Sequence, residues 1–177
     1  EADRATIIAE LQAINDLDQE FAGLPPAELM EALGNEKAWE IFEGQRDSVG
    51  LLNQARIKAL YAQYGYLGYA EVGEAASGDF WISIQHADND VAFQQEMLAA
   101  LKVEIEKGNA DKNQYAMLED RVNVNLGKPQ RFGSQVTYNE FGQAVPKNGL
   151  LDSAKVEQLR AEYDMETFKD YYNGMTT

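Results

Sequence analysis

The sequence predicts a mainly α-helical protein, a compact bundle of about six to seven helices with one small β-hairpin near residues 133–146. Three observations predict this fold class. Apolar residues recur at intervals of three and four along most of the chain, which is the spacing of a helix face. Proline is absent from the interior of every predicted helix, where it would remove a backbone hydrogen bond. The stretch 133–146 instead places short apolar segments around an Asn-Glu-Phe-Gly turn, which is typical of a hairpin.

The first half of the chain is predicted to be helical, with helices over residues 3–21, 25–34, 36–64 and 72–86. We expect the third helix to be interrupted near Gly44 or Gly50, because glycine weakens a helix interior. The run from Phe80 to Ile84 has residue types that would also suit a buried strand. We predict a helix there, because the neighbouring segments are helical and no partner strand is evident.

The second half is predicted to contain helices over residues 90–107, 111–125 and 152–163, and a last one around 168–172. The first of these has the clearest apolar repeat, and Gly108 follows it as a C-cap. The second is closed by Gly127 and Pro129, which do not continue a helix.

The composition limits the classes of function. The 177 residues include 30 acidic and 15 basic side chains and no cysteine, so the formal net charge is −15. This length predicts one domain, 1–177, with residues 1–50 as an N-terminal helical layer. The lack of cysteine excludes a disulfide framework, a thiolate nucleophile and Cys-ligated zinc. It also favours a periplasmic or extracellular location after removal of a leader.

Nucleic acid and membrane partners are not expected. Phosphates attract clustered Lys and Arg, which this acidic chain does not offer. No apolar run approaches the roughly 18 residues that a membrane-spanning helix needs. The expected partner is therefore a small molecule or another protein.

His86 is the only histidine, and it lies in a short polar segment between two predicted helices. An imidazole changes charge near neutral pH, and a nearby carboxylate such as that of Asp88 can orient it. This arrangement predicts a general acid or base. A structural interpretation is also open, because Asp88 or Asp90 can cap the next helix, and a histidine at a helix C-terminus is favoured by the helix dipole.

Other polar residues stand at positions where they need partners. Asp120 and Arg121 are adjacent on a predicted helix and point about 100° apart, so each must pair elsewhere. Gln130 and Gln135 flank a loop, where glutamine amides suit either ligand recognition or the satisfaction of buried backbone groups. Gln94 lies on an apolar helix face, so it points to the same site or bonds a neighbouring backbone group.

A metal site or a serine nucleophile is less well supported. His86, Asp88 and Asp120 offer one imidazole and two carboxylates, but no His-x-x-x-His or His-Glu-x-x-His spacing is present. Ser134 lacks the Gly-x-Ser-x-Gly pattern of a nucleophile elbow. We therefore predict neither a metal nor a cofactor.

Several of these residues form boxes that resemble a known family. In order they are Trp81-x-x-x-Gln85-His86-x-Asp88, Phe93-Gln94, Asp120-Arg121 and Gly127-x-x-Gln130-x-Phe132-Gly133-Ser134-Gln135. The order is similar to that of a bacterial family catalogued as a domain of unknown function, and the resemblance covers a core of residues 53–172. Phe132 and Ser134 replace the usual Tyr and Thr, which argues against a catalytic hydroxyl at position 132. The resemblance implies that the polar boxes converge on one site, but no activity.

Two hypotheses follow, and the first is preferred over the second. In the first, the protein is a hydrolase or transferase that uses His86 as acid or base, with Asp88 or Asp120 orienting the imidazole. Arg121 would then hold an anionic group. The substrate would be fixed by amide side chains, namely those of Gln85, Gln94, Gln130 and Gln135.

In the second hypothesis, the protein is a non-catalytic binding or interaction module. The same boxes then form a hydrogen-bond network that joins helices to the hairpin. The acidic first 90 residues, with 17 acidic and 5 basic side chains, would meet a basic partner. This hypothesis predicts severe destabilisation when Asp120 or Arg121 is replaced by Ala, because a buried charge would lose its partner.

Overall fold

The computed structural model describes residues 3–176, which form eight helices and one two-stranded hairpin. The predicted mainly helical class with a single small hairpin is therefore confirmed. The chain divides into two compact units, an N-terminal one that ends at Ala87 and a C-terminal one that begins at Asp88. The assignment of all 177 residues to a single domain stays a prediction.

The N-terminal unit consists of four helices, α1 (Arg4–Glu20), α2 (Ala27–Leu33), α3 (Asn35–Tyr64) and α4 (Tyr69–Gln85). Helix α1 packs against α3 and α4, and α2 packs against α3. The predicted interruption near Gly44 or Gly50 is wrong, because α3 is one helix of 30 residues. Both glycines lie on open surface, so their weak helix propensity is outweighed by the packing of the rest of α3.

The run from Phe80 to Ile84 is helical, as predicted, and lies in α4. A kink interrupts this helix at Gly73, whose φ of 84° is accessible to glycine at little cost. Beyond the kink, Phe80 and Ile84 are fully buried and contribute to the core of this unit. Tyr66 packs edge-on against Phe80, with 5.0 Å between ring centroids.

The C-terminal unit contains α5 (Val91–Glu106), α6 (Lys112–Asn125), β1 (Val136–Tyr138), β2 (Ala144–Pro146), α7 (Val156–Glu162) and α8 (Phe168–Met175). The two strands are antiparallel, with Thr137 opposite Val145. Helix α5 packs on α6, while α8 packs on α7 and β2. The fully buried side chains of this core are those of Gln94, Met97, Leu101, Ala116, Leu118, Asp120, Gln130 and Phe132.

Local signals account for the helix ends of this unit. The Asp90 carboxylate accepts a hydrogen bond from the backbone of Phe93 and so caps α5. Gly108 and Gly127, which follow α5 and α6, both adopt a φ of 73°. Within residues 3–176, no helix is both long and apolar enough to cross a membrane.

Candidate functional site

The loop 130–135 is held by a carboxylate on the preceding helix. Asp120 lies late on α6 and is fully buried. Its Oδ1 accepts hydrogen bonds from the backbone N–H groups of Arg131, at 3.0 Å, and Phe132, at 3.1 Å. Its Oδ2 accepts from both the N–H and the hydroxyl of Ser134, each at 2.8 Å. Asp120 therefore fixes the backbone of the loop rather than pointing to an open site.

Gln130 closes the other side of the loop. Its Nε2 donates to the carbonyl oxygens of Gln135, at 2.8 Å, and Lys147, at 2.7 Å. Its Oε1 accepts from the Gln135 N–H at 2.9 Å. Both N–H groups of this buried amide and one of the two lone pairs of its oxygen are thus bonded to backbone groups. Gln130 joins the loop to the segment that follows β2.

Three residues that the sequence hypotheses did not use hold the carbonyl groups of the loop. The Nε of Arg160 donates to the oxygen of Phe132 at 3.2 Å. The hydroxyl groups of Tyr171 and Tyr172 donate to the oxygens of Ser134 and Gly133, at 2.8 and 2.7 Å. Burial raises the pKa of the Tyr171 and Tyr172 phenols, so both remain hydrogen-bond donors.

Glycine is required at position 133 of the loop. Its φ is 68°, and a Cβ atom there would lie 2.8 Å from the ring of Phe168. A larger residue would strain the backbone and push the α8 ring away. The sequence offered one signal for this side of the loop: Arg160 lies among the apolar residues of a predicted helix, where a charge needs a buried partner.

A second group of polar side chains forms what we call the Asp88 cluster, which consists of Asp88, Gln94, Arg121, Asn125 and Gln135. Arg121 binds the Asp88 carboxylate with two nitrogens, Nε at 2.9 Å and Nη2 at 2.7 Å. The amide of Asn125 donates to the same carboxylate at 2.8 Å, and that of Gln94 at 3.3 Å. Arg121 also donates to the Gln135 side chain at 3.3 Å. Asn125 was missed, although it lies four residues after Arg121 and therefore on the same helix face.

The pKa values of the Asp120 and Asp88 carboxyl groups are shifted in opposite directions. Burial raises the pKa of Asp120, and the hydrogen bonds from the loop only partly oppose this effect. Burial also acts to raise the pKa of Asp88, but the hydrogen bonds from Arg121 and Asn125 outweigh it and lower this pKa to about 2. The Asp88 side chain is 45% exposed and that of Arg121 is 28% exposed. Asp88 therefore stays charged at the accessible end of the cluster.

His86 lies in the N-terminal unit, where it pairs with a carboxylate that the sequence hypotheses did not name. It forms the C-cap of α4, and its Nδ1 lies 3.2 Å from Oδ1 of Asp18 on α1. The hydrogen bond from His86 lowers the pKa of the Asp18 carboxyl. The imidazole side chain is 41% exposed. Gln85, which precedes it, is buried at the end of α4.

Six of the predicted site residues thus lie in the C-terminal unit and two in the N-terminal one. In the C-terminal unit, hydrogen bonds link Asp88, Gln94, Arg121 and Gln135, and separately tie Asp120 and Gln130 to the loop. The Gln135 amide donates to the Ser134 hydroxyl at 3.3 Å, which connects the two groups. The convergence of His86 with these residues stays a prediction. Within residues 3–176, no group of three His, Cys, Asp or Glu side chains is arranged to hold a metal ion.

This is a mainly helical protein in which polar side chains on helices hold a loop and an accessible ion pair. A family model described as a family of unknown function, DUF6624, matches residues 7–176, and the chain belongs to this family. The predicted family resemblance is thereby confirmed, while the individual boxes stay predictions. No curated protein and no solved structure matches the chain.

Proposed function

We propose that this protein is a non-catalytic binding module that recognises a small molecule at the Asp88 cluster. The observation that carries the proposal is the different hydrogen bonding of two pairs of polar residues. Asp120 and Gln130 direct their hydrogen bonds to the backbone of the loop 130–135, while Arg121 and Asp88 lie at its accessible edge. This division of roles is typical of a rigid scaffold that presents a small polar surface.

Preorganisation of the loop supports recognition. Its backbone groups are held by side chains from α6, α7 and α8, so the loop does not have to become ordered when a partner binds. Ordering a flexible loop would cost free energy that is subtracted from the affinity. Gln135, at the end of this loop, is held in place by Gln130 and contacts Arg121.

The same contacts argue against Asp120 as the partner of a catalytic histidine. A carboxylate offers about four lone-pair positions, and four donors from the loop already occupy the two oxygens of Asp120. Asp88 also accepts four hydrogen bonds, three at Oδ1 and one at Oδ2, from Arg121 and two amides. These contacts favour a role for both carboxylates in holding donors of the C-terminal unit.

An acid–base enzyme is the second candidate, and the pairing of His86 with Asp18 favours it. Donation from Nδ1 to a carboxylate fixes one tautomer of the neutral ring and leaves Nε2 as a proton acceptor. Among residues 3–176, no hydrogen bond occupies Nε2, and the ring is partly exposed. Here Asp18 takes the orienting role that the sequence suggested for Asp88 or Asp120.

One screen separates the two candidates. A library of small anionic, cationic and neutral metabolites is tested by thermal shift, and each compound is then examined by NMR for chemical change. A binding module is expected to be stabilised by compounds that are recovered unchanged, with the stabilisation lost in Arg121→Gln and kept in His86→Gln.

Arg56→Gln is the matched control, because the Arg56 side chain is 30% exposed and, among residues 3–176, its ion-pair contact is a long one, 3.7 Å to Glu10. Consumption of a compound by the wild type but not by His86→Gln would replace the first candidate with the second. If no compound distinguishes Arg121→Gln from Arg56→Gln, the cluster has no role in binding.

A further inference from the structure

We propose that the Asp88 cluster is a receptor for a carboxylate ligand, and that the side chain of Asp88 holds the position that the ligand carboxylate takes. This inference rests on the proposed binding function and names its ligand class. It follows from where the donors of the cluster and their acceptor lie in the fold.

The donors of the cluster belong to rigid elements. Gln94 lies in α5, and Arg121 and Asn125 lie in α6, which packs against α5. Four hydrogen bonds from these three side chains converge on one carboxylate. The Arg121 guanidinium is further held by Gln135 of the loop. The receptor half of the interaction is therefore built on helices and a fixed loop.

The acceptor, in contrast, belongs to no helix or strand. Asp88 lies in the turn that precedes α5, and its side chain is the most exposed part of the ion pair. Asp88 can turn its carboxylate away by a change of side-chain rotamer and of the backbone angles of the turn, whereas the backbone positions of the donors are fixed by α5 and α6. The donors contact only the two oxygens of a planar carboxylate, so an external carboxylate can accept the same hydrogen bonds as Asp88.

The charge of the receptor favours a carboxylate over a phosphate. The donors are one guanidinium and two neutral amides, a total charge of +1. A monoanionic carboxylate restores the neutrality that Asp88 provides, whereas a phosphate dianion would leave excess negative charge on a chain that already carries −15. The fork of Arg121 matches both oxygens of a carboxylate in one plane.

Competition with Asp88 sets the expected affinity. An intramolecular carboxylate acts at an effective concentration of the order of millimolar or more, so it weakens binding of an external one. Removal of the Asp88 carboxylate should therefore tighten acetate binding by about tenfold or more. A fixed structural ion pair would show no binding in the wild type.

The test uses the ¹⁵N-labelled full chain and sodium acetate as the probe, followed by NMR at the Nε–H of Arg121 and the side-chain amide of Asn125. Wild type, Asp88→Ala and Asp88→Asn are titrated to about 100 mM acetate at constant ionic strength, with acetamide and inorganic phosphate as comparison probes. Asp88→Asn keeps the shape of the residue and serves if Asp88→Ala does not fold. Asp152→Ala is the matched control, because its side chain is also 45% exposed and it also lies outside the helices and strands, in the segment before α7.

We expect saturable shifts in the wild type, tighter ones in the Asp88 variants, wild-type behaviour in Asp152→Ala and no response to acetamide. Acetate binding by the Asp88 variants alone would overturn the proposal, because it would show that Asp88 is never displaced. No acetate binding by any variant would overturn it as well. A response to phosphate but not to acetate would also reject the ligand class, yet it would leave the proposed binding function intact.

Discussion

Asp120 and Asp88 are both carboxylates that accept four hydrogen bonds, yet they lie in very different surroundings. Asp120 is fully buried, and its donors are neutral N–H and O–H groups of the loop 130–135. Asp88 is nearly half exposed, and two of its four hydrogen bonds come from a guanidinium. Burial raises the pKa of the first, whereas Arg121 and the amides lower that of the second.

The comparison shows that the number of hydrogen bonds does not decide what a carboxylate does. Neutral donors in the interior stabilise a negative charge only in part, so Asp120 carries a desolvation cost that its loop contacts must offset. A charged donor near the surface stabilises Asp88 while leaving it in contact with water. The buried Asp120 is suited to a permanent structural role, and the exposed Asp88 is suited to a contact that a ligand can replace.

Replacement of Asp120 tests the structural role of this carboxylate and should destabilise the protein most. Asp120→Ala removes the acceptor for three backbone N–H groups and leaves Arg160, which is 1% exposed, without the nearby negative charge that opposes its own. We expect the free energy of unfolding to fall by about 3 to 5 kcal/mol, because three buried N–H donors lose their acceptor and the buried Arg160 loses a nearby negative charge. Urea denaturation at neutral pH measures this loss.

Asp47→Ala is the control for that prediction. Asp47 is an exposed residue of α3, and its replacement should change stability by no more than about 0.5 kcal/mol. A loss below about 1 kcal/mol in Asp120→Ala would mean that the loop keeps its shape without the carboxylate, and the scaffold interpretation would be wrong.

Replacement of Asp88 should have a smaller effect on stability, and this effect should depend on pH. The pKa of Asp88 is lowered from 3.8 to about 2 in the folded protein, so its contribution to stability is present above the unfolded value and is lost as pH falls through the folded one. Because the side chain is well exposed, we expect Asp88→Asn to cost only about 1 kcal/mol near neutral pH. The difference between variant and wild type should shrink as the pH is lowered from about 4 towards 2.

Asp120 should give a pH dependence of the opposite sign. Its folded pKa is raised, so protonation favours the folded state, and this contribution is lost as pH rises through the folded pKa. Urea denaturation of Asp88→Asn and wild type across this acid range therefore isolates the Asp88 contribution, since Asp120 is common to both. A difference that stays constant with pH would show that the charge of Asp88 does not matter. Asp152→Asn controls for the loss of a half-exposed carboxylate.

Sequence patterns predicted the fold class well because helix formation depends on local spacing. The apolar repeat of α5 and the glycine after it are both local, and both appear in the structure. The error in α3 arose because Gly44 and Gly50 were judged by their own propensity, of about 1 kcal/mol each. That cost is small beside the packing of a 30-residue helix whose buried side chains extend from Ala38 to Leu60.

The sequence indicated which polar residues need partners, but it could not predict which residues they pair with. Asp18 lies 68 residues from His86, and Arg160 lies 28 residues from the loop carbonyl that it binds. Contacts over such separations are set by how helices pack, and spacing within one segment carries no information about them. Spacing could have shown only that Arg121 and Asn125 lie on one face of α6, from which both bind Asp88.

A third carboxylate, that of Asp18, pairs with the exposed imidazole of His86 instead of with loop donors or a guanidinium. Loss of this pair should change stability least. His86→Gln keeps a hydrogen-bond donor near Asp18 but removes the imidazole. Because partly exposed ion pairs contribute little, we expect the free energy of unfolding to change by no more than about 0.5 kcal/mol at neutral pH. Urea denaturation measures the change, with Asp18→Asn as the reciprocal variant. A loss above about 1.5 kcal/mol would show that the His86–Asp18 pair has a structural role like that of Asp120. The proposed acid–base enzyme would then lack the freely accessible imidazole on which it depends.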